Sequence, residues 1–132
     1  MKEWSIKHHV ESSLKAKDNQ YAMFVGRWQP LHDGHKALFN QALIKNKNVL
    51  ICIRDISPDE KNPFSAEQVK NNIENYYSDM NDKVKVIIIP DICSIEFGRG
   101  VGYDIIEHIP PTEISEISAT KIREELRNEG KL

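Results

Sequence analysis

Apolar runs of strand length alternate with stretches of helical pattern from residue 21 to the end of the chain. This alternation constrains the fold more than any other feature. Residues 21–27 (YAMFVGR), 49–54 (VLICIR) and 84–90 (VKVIIIP) read as strands. The second is continuously apolar, which suits a strand buried on both faces of a parallel sheet. From His35, HKALFNQALIKN places Leu38, Ala42 and Leu43 on one side of a helix. SAEQVKNNIENYYSDM starts a second helix, with Ser65 as N-cap and Gln68 at the capping-box position three residues on. A fourth strand is expected over YDIIEHIP at 103–110, and ATKIREELRNEG forms a last helix stopped by Gly130. The alternation predicts an α/β fold, a parallel sheet of about four to five strands with right-handed crossovers and helices on both faces. Ligands of such sheets bind beyond the carboxyl ends of the strands.

A chain of 132 residues fits one domain with one hydrophobic core. Its 18 basic and 20 acidic residues nearly balance, so no nucleic-acid partner is expected, although a few convergent cations could still build a local phosphate site. No stretch approaches the ~20 apolar residues of a membrane span, and the start of the sequence lacks the apolar region of a secretory leader. No membrane association and a cytoplasmic location are the expectations. Residues 1–20 place Trp4, Ile6, Val10 and Leu14 at loosely helical spacing. They are taken as an amphipathic helix ahead of a domain over 21–132, its apolar stripe packing on that domain or on a second copy. His8 and His9, being adjacent, diverge on such a helix and read as surface residues. Cys52 and Cys93 lack Cys-x-x-Cys spacing and read as reduced thiols, and no resident metal site is expected.

The first strand runs into Gly26-Arg27-Trp28-Gln29-Pro30-Leu31-His32-Asp33-Gly34-His35 and then into a helix. Two imidazoles three residues apart thus stand at a helix N-terminus, where unpaired N–H groups and the dipole favour phosphate. Gly26 and Gly34 are expected to let the backbone approach a ligand, and Pro30 to stiffen the turn. His32 and His35 could donate hydrogen bonds to phosphate oxygens as charge develops, clamping rather than attacking. His-x-x-His also arises by chance at helix starts and suits zinc, but no third ligand of matching character lies nearby.

The second constellation is Ile117-Ser118-Ala119-Thr120-Lys121-Ile122-Arg123, at the start of the last helix. Its hydroxyls and free N–H groups make another anion cradle, and Arg123 can bind phosphate bidentately one turn on. Alone, this segment reads equally as an N-cap followed by a surface helix.

Together the two segments resemble the nucleotidyltransferase superfamily, both the cytidylyltransferase-like and the nicotinamide-mononucleotide adenylyltransferase-like branches. Its His-x-Gly-His motif reads here His32-Asp33-Gly34-His35, and its Ile-Ser-Ser/Thr-Thr-x-Ile-Arg motif reads residues 117–123 with Ala119 at the small position. The Gly-Arg-x-Gln-Pro lead resembles the adenylyltransferase branch more than the Gly-Thr-Phe-Asp lead of many cytidylyltransferases. Asn62-Pro63-Phe64-Ser65-Ala66 is similar to the Asn-Pro-Phe-Thr-Ala of archaeal-type members. The resemblance implies a Rossmann-like, near-minimal domain that transfers a nucleoside monophosphate from ATP or CTP to a phosphate-bearing small molecule, releasing pyrophosphate. It implies catalytic roles for His32, His35 and Arg123. It implies nucleotide contacts from Gly26, Arg27, Trp28, Gln29, Gly34, Ser118, Thr120 and Lys121, with Mg²⁺ arriving on the triphosphate.

Arg54 and Asp55 end the second strand at the ligand edge and are candidates for the acceptor, or else form an exposed ion pair. Arg99, in Gly98-Arg99-Gly100-Val101-Gly102-Tyr103, is a further acceptor candidate or part of a tight connection. That stretch lacks Gly-x-Gly-x-x-Gly order and precedes a strand, so a dinucleotide-binding turn is rejected. Superfamily members carry a further strand and helix between the third strand and the Ser-Thr-Arg motif. Here only the 91–102 loop and one strand are available, which leaves room for a homo-oligomer whose second copy completes the acceptor pocket. The competing reading is a non-catalytic nucleotide-binding module for sensing or assembly. A class I aminoacyl-tRNA synthetase fragment is disfavoured by the length, the balanced charge and the lack of a Lys-Met-Ser-Lys-Ser loop.

Overall fold

The computed structural model describes residues 20–98, 104–108 and 119–130. Three strands, β1 (Tyr21–Gly26), β2 (Asn48–Asp55) and β3 (Val84–Pro90), form a parallel sheet in the order β1-β2-β3. Helix α1 (Asp33–Leu43) connects the first pair. Helix α2 (Ala66–Tyr76) and a 3₁₀ turn at Ser78–Met80 connect the second, and α3 (Ala119–Asn128) comes last.

The register explains where the core sits. Ala22, Val49 and Val84 form one cross-strand row, Phe24, Ile51 and Val86 the next, and Gly26, Ile53 and Ile88 a third. Because side chains alternate along a strand, these rows share one face. Phe39 and Ala42 of α1 and Val69 and Ile73 of α2 join them in a single cluster. Val49, Ile51, Ile53, Phe39 and Ile73 have no exposed surface. Each such side chain contributes about 1.5–3 kcal/mol through burial. Both crossover helices therefore cover the same face of the parallel sheet. On the opposite face Met23 and Ile87 remain 58% and 42% exposed.

Local chemistry sets the helix ends. His32 caps α1 and Ser65 caps α2, each within a capping box. After α1 the chain reverses at Asn46, whose φ of 60° lies in the left-handed region that Asn tolerates. After α3, Gly130 takes a φ of 74° and donates to the Arg127 carbonyl, the stop expected of it.

The expected fourth strand is not present over 104–108, the described part of that segment. Its only apolar pair, Ile105–Ile106, offers neither a continuous apolar run nor a clean alternation. The segment nevertheless lies beside β1, where the His108 ring stacks on Phe24 with centroids 5.8 Å apart. The N-terminal helix expected over 1–20 and the 99–103 stretch lie outside the described residues. Among the described residues, no helix is long and apolar enough to cross a membrane.

Candidate active site

The connection between β1 and α1 is organised around a buried tryptophan. Trp28 adopts a φ of 53°, left-handed backbone that costs a bulky residue about 1–2 kcal/mol. The conformation folds its indole inward, where Nε1 donates to the Cys52 carbonyl at 3.1 Å and the ring meets Phe39 and His35 edge-on. A Cβ on Gly26 would stand 2.9 Å from this indole. Glycine at 26 thus makes room for Trp28. The Trp28 and Gln29 side chains are both buried.

Gln29 fixes the connection to the segment that precedes α2. Its Nε2 donates to the Phe64 carbonyl at 2.8 Å and its Oε1 accepts from the Phe64 N–H at 3.0 Å, across 35 residues of sequence. A side-chain amide here replaces a neighbouring strand, and both of its groups are satisfied.

His32 and His35 stack face to face, ring centroids 3.6 Å apart. His32 Nδ1 accepts from the N–H groups of Gly34 and His35, and His35 Nδ1 accepts from the His32 N–H. An imidazole nitrogen that accepts carries no proton, so each neutral ring bears its hydrogen on Nε2. Burial is the main cause that lowers both pKa values. His35 falls to about 3, with the neighbouring His32 also acting against its charge. For His32 the burial effect is opposed by Asp33 and reinforced by Lys36. Near neutral pH the pair therefore presents two uncharged Nε2–H donors beside the α1 N-terminus.

Guanidinium groups gather on the connection that leads to this pair and on the loop beside it. Arg27 Nη1 donates to Asn62 Oδ1 at 3.3 Å, and Arg123 Nη1 of α3 donates to the Gln29 carbonyl at 2.5 Å. Arg127, one turn further along α3, donates through Nη2 to the Glu60 carbonyl. Burial lowers the Arg123 pKa first, then the charges of Arg127 and Arg27, while Asp59 raises it. Arg123 thus feels two further cations, a local basic patch on a chain of net charge −2.

Thr120 and Lys121 lie in the first turn of α3, whereas Ser118 and Arg99 lie outside the described residues. Arg54 donates through Nε and Nη2 to Asp91 Oδ1 at 2.9 and 2.7 Å. Its ion pair is with Asp91 and not with the exposed Asp55. Sequence reasoning missed Asp91, Arg127 and the Asp59–Asn62 turn. Arg127 had a signal in its spacing four residues after Arg123, and the turn had one in Ser57-Pro58-Asp59 before Asn62-Pro63. Asp91 had none. Among the described residues, no three His, Cys, Asp or Glu side chains gather to hold a metal.

A stacked pair of hydrogen-bond donors thus stands at a helix N-terminus beyond the carboxyl edge of a parallel sheet, a place in α/β folds suited to anionic ligands. The cytidylyltransferase-like family model matches residues 23–108, more than half of the chain, and the chain belongs to that family. Over 75 residues it is 31% identical to the nicotinamide/nicotinic acid mononucleotide adenylyltransferase of Acinetobacter baylyi, covering 54% of this chain and 40% of that protein. It is also similar to the crystal structure of a bifunctional NMN adenylyltransferase/ADP ribose pyrophosphatase from Francisella tularensis, complexed with AMP and Mn ion. There the identity is 36%, with 55% of this chain and 23% of that chain covered at a TM-score of 0.49. The chain spans less than half the length of either relative.

Proposed function

We propose that the chain is a nucleotidyltransferase. An oxygen of the acceptor phosphate attacks the α-phosphorus of a nucleoside triphosphate, and the bond from that phosphorus to the bridging oxygen of the β-phosphate breaks. Pyrophosphate leaves, and the nucleoside monophosphate stays on the acceptor. The observation that carries this reading is the paired Nε2–H donors of His32 and His35, held in one tautomer by backbone N–H groups. Donors fixed in advance stabilise charge developing on the attacked phosphoryl oxygens without reorganising. Being neutral, they do so without giving up a proton.

Arg27 and Arg123 supply cationic contacts to the triphosphate. Ser118, Thr120 and Arg123 are assigned to the leaving pyrophosphate by their motif, Lys121 at its variable position is a further candidate for the nucleotide, and Arg54, Asp55 and Arg99 are candidates for the acceptor. A magnesium ion carried on the triphosphate would neutralise charge on its oxygens alongside the cations and N–H donors of the described residues. The donor nucleotide is ATP or CTP. ATP with nicotinamide mononucleotide is the first pair to try, because the relatives named above are adenylyltransferases of that mononucleotide.

The test is pyrophosphate release over four nucleoside triphosphates crossed with phosphate-bearing acceptors, with Mg²⁺ present. Release is expected for one base and one acceptor class, and His35→Ala should lower it ~10²–10³-fold, the usual effect of losing one preorganised donor. Full release by a folded His35→Ala protein would overturn the role of the pair. Nucleotide binding without release on any acceptor would instead establish a binding module.

A further inference from the structure

We infer that Asn62 is a positioning residue, which holds the Arg27 guanidinium ready for the triphosphate of the proposed reaction and passes the restraint back to Asp59. The inference rests on the nucleotidyltransferase reading and adds a residue to it.

Asn62 is a buried polar side chain, 5% exposed, in a loop that otherwise faces solvent. Its amide is used at both ends: Oδ1 accepts from Arg27 Nη1 at 3.3 Å, and Nδ2 donates to Asp59 Oδ1 at 3.0 Å. The same carboxylate oxygen accepts the N–H groups of Lys61 and Asn62 at 2.9 and 2.7 Å, and the Asp59 N–H donates to the Asn62 carbonyl at 2.8 Å. Reversing the amide would aim its NH₂ at a guanidinium and its oxygen at a carboxylate, so the orientation is fixed by its partners. The loop is tied to the β1–α1 connection by Gln29 and Phe64, so Asn62 is anchored to the segment that carries the imidazole pair.

The identity of the residue matters because Arg27 is otherwise exposed and a free arginine side chain loses much rotamer freedom on binding. A carboxylate in place of Asn62 would order the guanidinium equally well but would neutralise it. A neutral amide oxygen takes one N–H and leaves the full charge and the other donors for phosphate. Asp59 supplies the negative end of the chain one residue removed, where it steadies the amide.

The test is a double-mutant cycle on the whole chain, with KM for Mg·ATP, kcat and thermal midpoint measured for wild type, Asn62→Ala, Arg27→Ala and the pair. Asn62→Ala and Arg27→Ala are each expected to raise KM about tenfold, the usual effect of losing a hydrogen bond to a charged group. The double variant should match Arg27→Ala alone. Asp59→Asn, which keeps an acceptor for the turn, should retain the wild-type KM. If Asn62→Ala costs the same factor with or without Arg27, the residue only shapes its loop and the inference is overturned. Should Asn62→Ala fail to fold, Asn62→Ser carries the same cycle. A wild-type protein that turns over no nucleotide sinks the proposed function itself, an outcome visible without any variant.

Discussion

His32 has two separable tasks, because its Nδ1 caps α1 while its Nε2–H is free to donate outward. Asparagine is a favourable N-cap but cannot reproduce the outward donor. His32→Asn should therefore keep a thermal midpoint close to wild type while losing ~10²–10³ in pyrophosphate release. His32→Ala should lose both, with about 1 kcal/mol of stability in addition. Equal turnover by His32→Asn and wild type would separate His32 from the chemistry. The lowered pKa values of the pair carry a second expectation. His35 stays neutral down to about pH 3, so kcat should show no imidazole inflection near pH 6.5. An inflection there, abolished by His35→Ala, would mean that the working form is charged.

Between elements, the contact with the largest consequence is the Gln29–Phe64 pairing. Replacing Gln29 with Ala leaves the Phe64 N–H and carbonyl without partners in a part-buried site, which costs about 1–3 kcal/mol. Urea unfolding of Gln29→Ala should show that loss with an unchanged slope; a midpoint equal to wild type would show that water replaces the amide without penalty. This pairing also marks the boundary of what the sequence reveals. The strands, the two crossover helices and the Ser65–Gln68 capping box were legible because each is a local pattern of period or spacing. The imidazole pair was legible as a motif, though not the capping that fixes its tautomer. Gln29 and Asn62 were visible only as members of motifs, because a hydrogen bond across 35 residues leaves no periodic trace. The packing demand on Gly26 was hidden for the same reason: the indole that needs its space arrives through a left-handed Trp28, which composition does not announce. The fourth strand failed at 104–108 because two apolar residues are too few to specify a face.

For the molecule as a whole, the buried imidazoles link stability to pH. His32, His35 and His108 all have lowered pKa values, in each case first because burial disfavours the charged ring. Unfolded histidine takes up its proton near pH 6.5, whereas folded His35 does so only at about 3. Between those values the unfolded chain binds more protons than the folded one, so stability rises with pH across the window and is complete above 6.5. Acidification from pH 7 to 4 should therefore lower the thermal midpoint, with His35 contributing at most about 1.4 kcal/mol per pH unit inside the window. Asp59 works in the same direction, at lower pH. Its carboxylate is held low by its hydrogen bonds to Asn62, so its contribution is lost as pH falls below the usual carboxylate range. Both effects weaken the same corner of the fold in acid, and a variant can separate them. His35→Phe keeps an aromatic ring against Trp28 but cannot titrate, so its midpoint should fall less steeply than wild type between pH 6.5 and 4.5, above the range where Asp59 protonates. Parallel slopes for the two proteins in that interval would place the acid sensitivity outside His35.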